Sequence, residues 1–290
     1  MNPDYTYAAH RLLRENAVML SLPQLCVKLR RILDDPAHSR KDVMAVMRYD
    51  PALTARLLRI VNSPYYGLPY RVASISQALG IIGEQELQNL VMVTALVSLS
   101  KTLDMRMDIT RFWKTSVHTA VLARNLCPPE LQGMREESFI AGLLLNIGKL
   151  VLYGKEPLLQ AAVNGYMHEQ GIDEITAERQ LAGTDHALIG ALLAHAWNFP
   201  QQLQDLIAGH HIRKNGLIGQ GHTVLRLAGY FGDWHDQHQG QQLSPTTPEL
   251  LDCPWSLGSL GIQSAQFWEL LQRSHAEHME IHQLFCGEPG

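Results

Sequence analysis

A chain of 290 residues, 46% hydrophobic and 18% charged, is long enough to bury a sizeable core, and its composition excludes a disordered, collagenous or low-complexity protein. The net charge of −4 gives no overall electrostatic reason to expect nucleic acid as a partner. The charge is nevertheless uneven: residues 11–60 carry ten Lys/Arg against five Asp/Glu, whereas residues 232–290 carry Arg273 alone against eight Asp/Glu. Two solvated faces of opposite sign would explain this, as would a different partner at each end or packing of one end on the other.

Cys26, Cys127, Cys253 and Cys286 are far apart and form no CxxC pair, which fits free thiols in a reducing compartment. The first residues, Met-Asn-Pro-Asp-Tyr, lack the basic-then-apolar pattern of a secretory leader. The most apolar stretch, Leu87 to Leu99, is shorter than the roughly 20 residues needed to span a bilayer. A soluble, cytoplasmic protein without membrane contact is expected.

Helical periodicity dominates the chain. Leu25, Leu29, Ile32 and Leu33 fall on one helical face, and Asp35-Pro36 ends that helix. Ser39 and Asp42 form a capping pair for a helix that carries Val43, Val46 and Met47. Asp50-Pro51 opens another, with a carboxylate at the N-cap and proline in the first turn, burying Leu53, Leu57, Leu58 and Val61. The run Asn62-Ser63-Pro64-Tyr65-Tyr66-Gly67 breaks the pattern. Ser74 with Gln77 starts the next helix, which Gly83 interrupts before the apolar segment 87–99. After a polar stretch at 100–110, a second helical set runs from Phe112 to about Phe231. Residues 236–248 read as a linker, and Ala265 to Phe285 as a final helix. No run alternates long enough to predict a strand, so the expected class is all-α.

The segment Leu143-Leu144-Leu145-Asn146-Ile147-Gly148-Lys149-Leu150 resembles the HD phosphohydrolase frame, in which Leu145 and Asn146 stand where that superfamily places an adjacent His and Asp. Around it lie Leu22-Pro23, Asp34-Asp35-Pro36, the stretch from Asp50 to Arg59, Asn62 to Gly67, Ser74 to Gly83, Phe112-Trp113-Lys114 with His118, Phe139 to Leu144, Asp185 to Gly190, Trp197-Asn198-Phe199-Pro200 and His210-His211. In this order, over about residues 22–230, the chain resembles the HDOD family, a degenerate branch of the HD superfamily related to the HD-GYP phosphodiesterases. The resemblance implies an all-helical fold with an N-terminal bundle packed on a degenerate HD-type half. It also implies a bacterial signalling role, commonly regarded as non-catalytic.

A hydrolytic HD site needs carboxylate and imidazole ligands to hold a divalent metal and lower the pKa of its water. His118 matches the first histidine of the pattern. Leu145 cannot ligate, Asn146 offers a neutral oxygen, and Gly229 stands where the last acid is expected. The degenerate site is therefore read as His118, Leu145, Asn146, Lys149, His186, His210, His211 and Gly229, with no catalytic residue, metal or cofactor. The remaining imidazoles either bind a metal, anion or ligand or serve as core hydrogen-bonding groups. Lys149 keeps a structural or anion-contacting place. Asn62, Tyr65 and Tyr66 form a candidate partner surface, or else the tyrosines pack the bundle. His275, His278 and His282, with Cys286, follow helical spacing along the last segment, as a metal clamp or a solvated face.

The expected organisation is an N-terminal helical subdomain over 1–104, an HD-like subdomain over 105–234, and a linker with a C-terminal helical extension over 235–290. The expected function is a non-enzymatic signal-transduction module acting on signalling proteins by protein–protein contact. Two alternatives carry different chemistry: a divergent metal-dependent phosphodiesterase built on the residual histidines, and a binding module that senses a nucleotide or other small molecule.

Overall fold

The computed structural model describes residues 3–16, 23–47, 50–63, 66–154, 156–211, 219–237 and 257–286. Among these residues the regular elements are all helical, as the periodicity predicts, and there is no strand. In chain order they are α1 (Pro3–Glu15), α2 (Gln24–Leu33), α3 (Arg40–Met47), α4 (Pro51–Val61), α5 (Ile75–Thr102), α6 (Ile109–Leu126), α7 (Arg135–Leu144), α8 (Gly148–Leu152), α9 (Pro157–Gln170), α10 (Glu174–Ala182), α11 (His186–Ala196), α12 (Gln201–Gly209), α13 (Gln220–Gln237) and α14 (Ser264–Cys286). No described helix is long and apolar enough to cross a membrane. The chain divides into two compact units: a larger one of Met1–Ser21 with Asp104–Ser274, and a smaller one of Leu22–Leu103 with His275–Gly290.

In the smaller unit α2, α3 and α4 all pack on α5. The predicted caps form. Asp42 Oδ2 accepts from both the Ser39 backbone N–H (2.8 Å) and its hydroxyl (2.7 Å), and Asp50 accepts from the Leu53 N–H at 2.9 Å, satisfying donors that a helix start leaves orphaned. At Gly83 the φ of +80° belongs to a backbone region that favours glycine, and it breaks α5 where the sequence expectation places an interruption. Beyond it Leu87, Leu90, Val91, Val93 and Val97 are fully buried.

The Asn62–Gly67 turn is held from inside. The Asn62 side-chain amide donates to the carbonyls of Leu58 (2.7 Å) and Val72 (2.8 Å), and its oxygen accepts from the Val72 N–H at 2.7 Å. Tyr66 packs on the buried cluster of Val61, Val72 and Ala78, and its hydroxyl donates to Glu86 at 3.2 Å. Asn62 is thus a clamp that closes the loop, and Tyr66 is half-buried packing; Tyr65 lies outside the described residues. Asn62→Ala strips the backbone groups of buried Val72 of their partner, and should cost about 1–3 kcal/mol, read as a lower urea midpoint.

In the larger unit α6 packs on α7 and α13, α11 on α8 and α12, and α9 on α10. Trp113, Phe139, Tyr153, Trp197 and Phe231 are fully buried there. The first helix, α1, belongs with this later part of the chain and packs on α8 and α11. Helix α13 continues past Phe231, where the sequence expectation ended the helical set. Trp234 is buried and Asp236 accepts from Arg111 Nε at 2.8 Å, so burial and an ion pair extend the helix to Gln237. The expected linker over 236–248 therefore starts within a helix, and its remainder lies outside the described residues. The last helix begins and ends within a residue of its expected bounds.

Candidate functional site

The HD-like frame crosses from α7 into α8. Leu145, at the turn between them, is fully buried, while Asn146 beside it lines a cavity of about 910 Å³. A Cβ added at Gly229 on α13 would stand 3.0 Å from Leu145 Cδ2, so the leucine side chain packs closely against the glycine. These two sequence departures therefore meet in space as an apolar contact. The metal-binding pair of the HD frame has no counterpart here, because a hydrocarbon and a neutral amide cannot replace an imidazole and a carboxylate.

One turn of α8 and its exit place Lys149 and Tyr153 beside α10. Glu174 and Glu178, four residues apart on that helix, share a face. Lys149 Nζ lies 2.9 Å from Glu174 Oε1. Burial opposes the Lys149 charge, but Glu174, Asp233 and Glu178 outweigh it and raise the pKa above the ordinary lysine value. Glu178 is fully buried and accepts from the Tyr153 hydroxyl, from the His186 backbone N–H at 2.9 Å and from His186 Nδ1 at 2.8 Å. Burial and then the nearby Glu178 and Glu174 carboxylates push the Tyr153 hydroxyl up, so it stays protonated and donates.

His186 begins α11, where Asp185 caps the helix by accepting from the Leu188 N–H at 2.8 Å. Its Nε2 lies 3.3 Å from His210 Nε2 and 3.1 Å from His211 Nε2. His210 Nδ1 donates to the Ile207 carbonyl at 2.6 Å. The structure thus brings together His186, His210 and His211 from the expected site, with Lys149 and Asn146 on the neighbouring cavity wall. It does not bring His118 to them. That residue is buried on α6 with its ring 4.5 Å from the ring of His235, although Phe112, Thr115 and Ser116 of the same helix line the cavity.

Glu174, Glu178, Tyr153 and Asp233 were not among the expected site residues. Gly229 does stand in the cavity wall as a missing acid, but Asp233, one turn later on α13, brings a carboxylate to the same wall. The site has lost its HD pair without losing its acids. The four-residue spacing of Glu174 and Glu178, and of Gly229 and Asp233, was the available signal.

The imidazoles make opposite demands on pH. Burial, then His211 and His186, hold His210 well below the ordinary histidine value of 6.5. Burial also opposes charge on His186, but the Glu178 carboxylate overcomes it and raises that residue above 6.5. Below pH 6.5 the unfolded chain takes a proton that folded His210 refuses, so stability falls by up to about 1.4 kcal/mol per pH unit. The contribution of His186 is complete below 6.5 and is lost as pH rises through its raised value. Urea unfolding from acid to alkaline pH should therefore show this cluster's contribution greatest near 6.5.

Comparison with known proteins places this geometry in a family. The HDOD domain model matches residues 19–213. A protein from Treponema pallidum (strain Nichols), itself uncharacterized, is 31% identical over 192 residues, 66% of this chain; the match spans 37% of that protein's length. A solved structure from Shewanella amazonensis SB2B, provisionally named a phosphohydrolase, is 25% identical with a TM-score of 0.70, over 94% of this chain and 97% of that one. An HDOD domain protein of unknown function from Geobacter sulfurreducens shares the fold at 22% identity and a TM-score of 0.65, over 91% of this chain and 92% of its own.

Proposed function

The chain belongs to the HDOD domain family, and we propose that it is a non-catalytic regulatory module that acts by protein–protein contact. The observation that carries the reading is Leu145, fully buried against Gly229 at the position where the HD frame supplies a metal-binding imidazole. Hydrolysis through that frame needs a metal whose positive charge makes hydroxide available near neutral pH. Here the neighbouring positive charge is the Lys149 ammonium, already paired with Glu174. A lysine balances buried carboxylates but cannot activate water as a Lewis acid.

The cavity also disfavours a phosphate-rich nucleotide as the modulating ligand. Its wall carries Asp108, Asp173, Glu174, Asp233 and Asp236 against Arg111, Lys149 and Arg226, and Arg111 and Lys149 are already engaged by Asp236 and Glu174. A polyanion would meet net repulsion in a partly desolvated space.

The test is turnover of a generic phosphodiester by the full chain, supplied in turn with Mg²⁺, Mn²⁺, Fe²⁺, Co²⁺ and Zn²⁺. No turnover above a heat-denatured control is expected. Metal-dependent hydrolysis that disappears in His211→Ala would sink the non-catalytic reading and favour the divergent phosphodiesterase.

A further inference from the structure

We propose that His186, His210 and His211 form a mononuclear transition-metal site, with Glu178 as the residue that positions its first ligand. It uses neither Leu145 nor Asn146 as a ligand and does not depend on the regulatory reading, since occupancy and turnover are separate measurements.

The geometry is that of ligands converging on one point. One ring nitrogen from each of the three histidines lies within 4.8 Å of the others. The two Nε2 separations from His186, 3.3 and 3.1 Å, match the edge of a tetrahedron about a metal whose Zn–N bonds are about 2.0–2.1 Å, for which two ligand nitrogens stand roughly 3.3 Å apart.

The hydrogen bonds of the rings leave their Nε2 atoms facing one another. His186 Nδ1–H donates to Glu178 and His210 Nδ1–H donates to the Ile207 carbonyl. In each neutral ring the proton is therefore fixed on Nδ1, and the lone pair on Nε2 faces the partner histidine. A proton on His186 Nε2, donated to His210 or His211, also satisfies these contacts, and a metal would take that proton's place with the same nitrogens as ligands. A carboxylate on one ligand and a backbone carbonyl on another are the outer-shell partners that orient metal-bound imidazoles. His210 and His211 line the cavity, which supplies an entry path and leaves room for a fourth ligand from solvent. Three neutral imidazoles suit Zn²⁺, Ni²⁺ or Co²⁺ better than Mg²⁺ or Ca²⁺.

The probe is Co²⁺, titrated into the full chain after purification without a histidine tag and stripping with chelator. One equivalent should bind, give the intense visible ligand-field bands of a tetrahedral centre, and be displaced by Zn²⁺. His211→Ala removes a half-exposed ligand and should abolish stoichiometric binding while far-UV circular dichroism stays unchanged. Glu178→Gln keeps the shape of the positioning residue and should weaken Co²⁺ binding by about 10- to 100-fold. The proposal is overturned if the wild-type chain binds no stoichiometric Co²⁺ or Zn²⁺, or if folded His211→Ala binds as wild type does. It is equally overturned if binding is lost in His282→Ala but kept in His211→Ala, which would assign the metal to the histidines of α14.

Discussion

Replacing Glu178 with alanine should destabilise the larger unit by about 3–5 kcal/mol, the range for removing one partner of a buried charged network. Glu178 is fully buried and accepts from three donors: the Tyr153 hydroxyl, the His186 backbone N–H and the His186 ring. Alanine would leave all three without an acceptor in a space that water does not reach. It would also take away a carboxylate that favours the charged forms of Lys149 and His186. Glu178→Gln keeps the volume and one acceptor oxygen but turns an amide N–H toward a donor, so its cost should be smaller, about 1–3 kcal/mol. For a unit of this size the alanine variant should melt about 6–20 °C lower. A calorimetric scan that finds the alanine variant within a degree of wild type would show that the network does not support the fold.

The second large effect is expected at Gly148, inside the HD-like frame. A Cβ there would lie 2.0 Å from the His186 carbonyl oxygen and 2.8 Å from the Gly190 nitrogen. Both are backbone atoms of α11 that cannot rotate away, so α8 and α11 would have to separate. Overpacking of this kind costs about 3 kcal/mol or more, at or above the upper end of the usual range. The displacement would also pull Lys149 and His186 off register, so Gly148→Ala should weaken any Co²⁺ binding as well as lower the urea midpoint. Gly165 on α9 supplies the contrast. It is exposed, with nothing within 4 Å of an added Cβ, so Gly165→Ala should stabilise by up to about 1 kcal/mol. If both variants shift the midpoint equally, close helix approach is not the reason for glycine at 148.

Gly148 also shows what kind of information the sequence carries. The residue is legible as part of a frame, but the reason for it, the α11 backbone at contact distance, comes from a segment nearly forty positions away. Caps are more transparent because each needs only a few neighbouring residues. Ser39 with Asp42, Asp50 with Pro51 and Ser74 with Gln77 all close the helices they announce. The end of α13 was less transparent, since Trp234 and Asp236 are held by burial and by Arg111, 125 positions earlier.

The same division runs through the site. Local pattern fixed the helical class, because hydrophobic spacing and capping chemistry act within a turn or two of the residues concerned. Motif order marked Leu145 and Asn146 as the positions where the HD frame carries its metal-binding pair. Tertiary structure alone decided that Leu145 closes on Gly229, that His118 stands away from the other histidines, and that Glu174, Glu178 and Asp233 supply the acids of the site. Those residues lie on α10 and α13, and their charges matter only once folding removes water from between them, since desolvation is what makes a buried carboxylate seek Lys149, Tyr153 and His186.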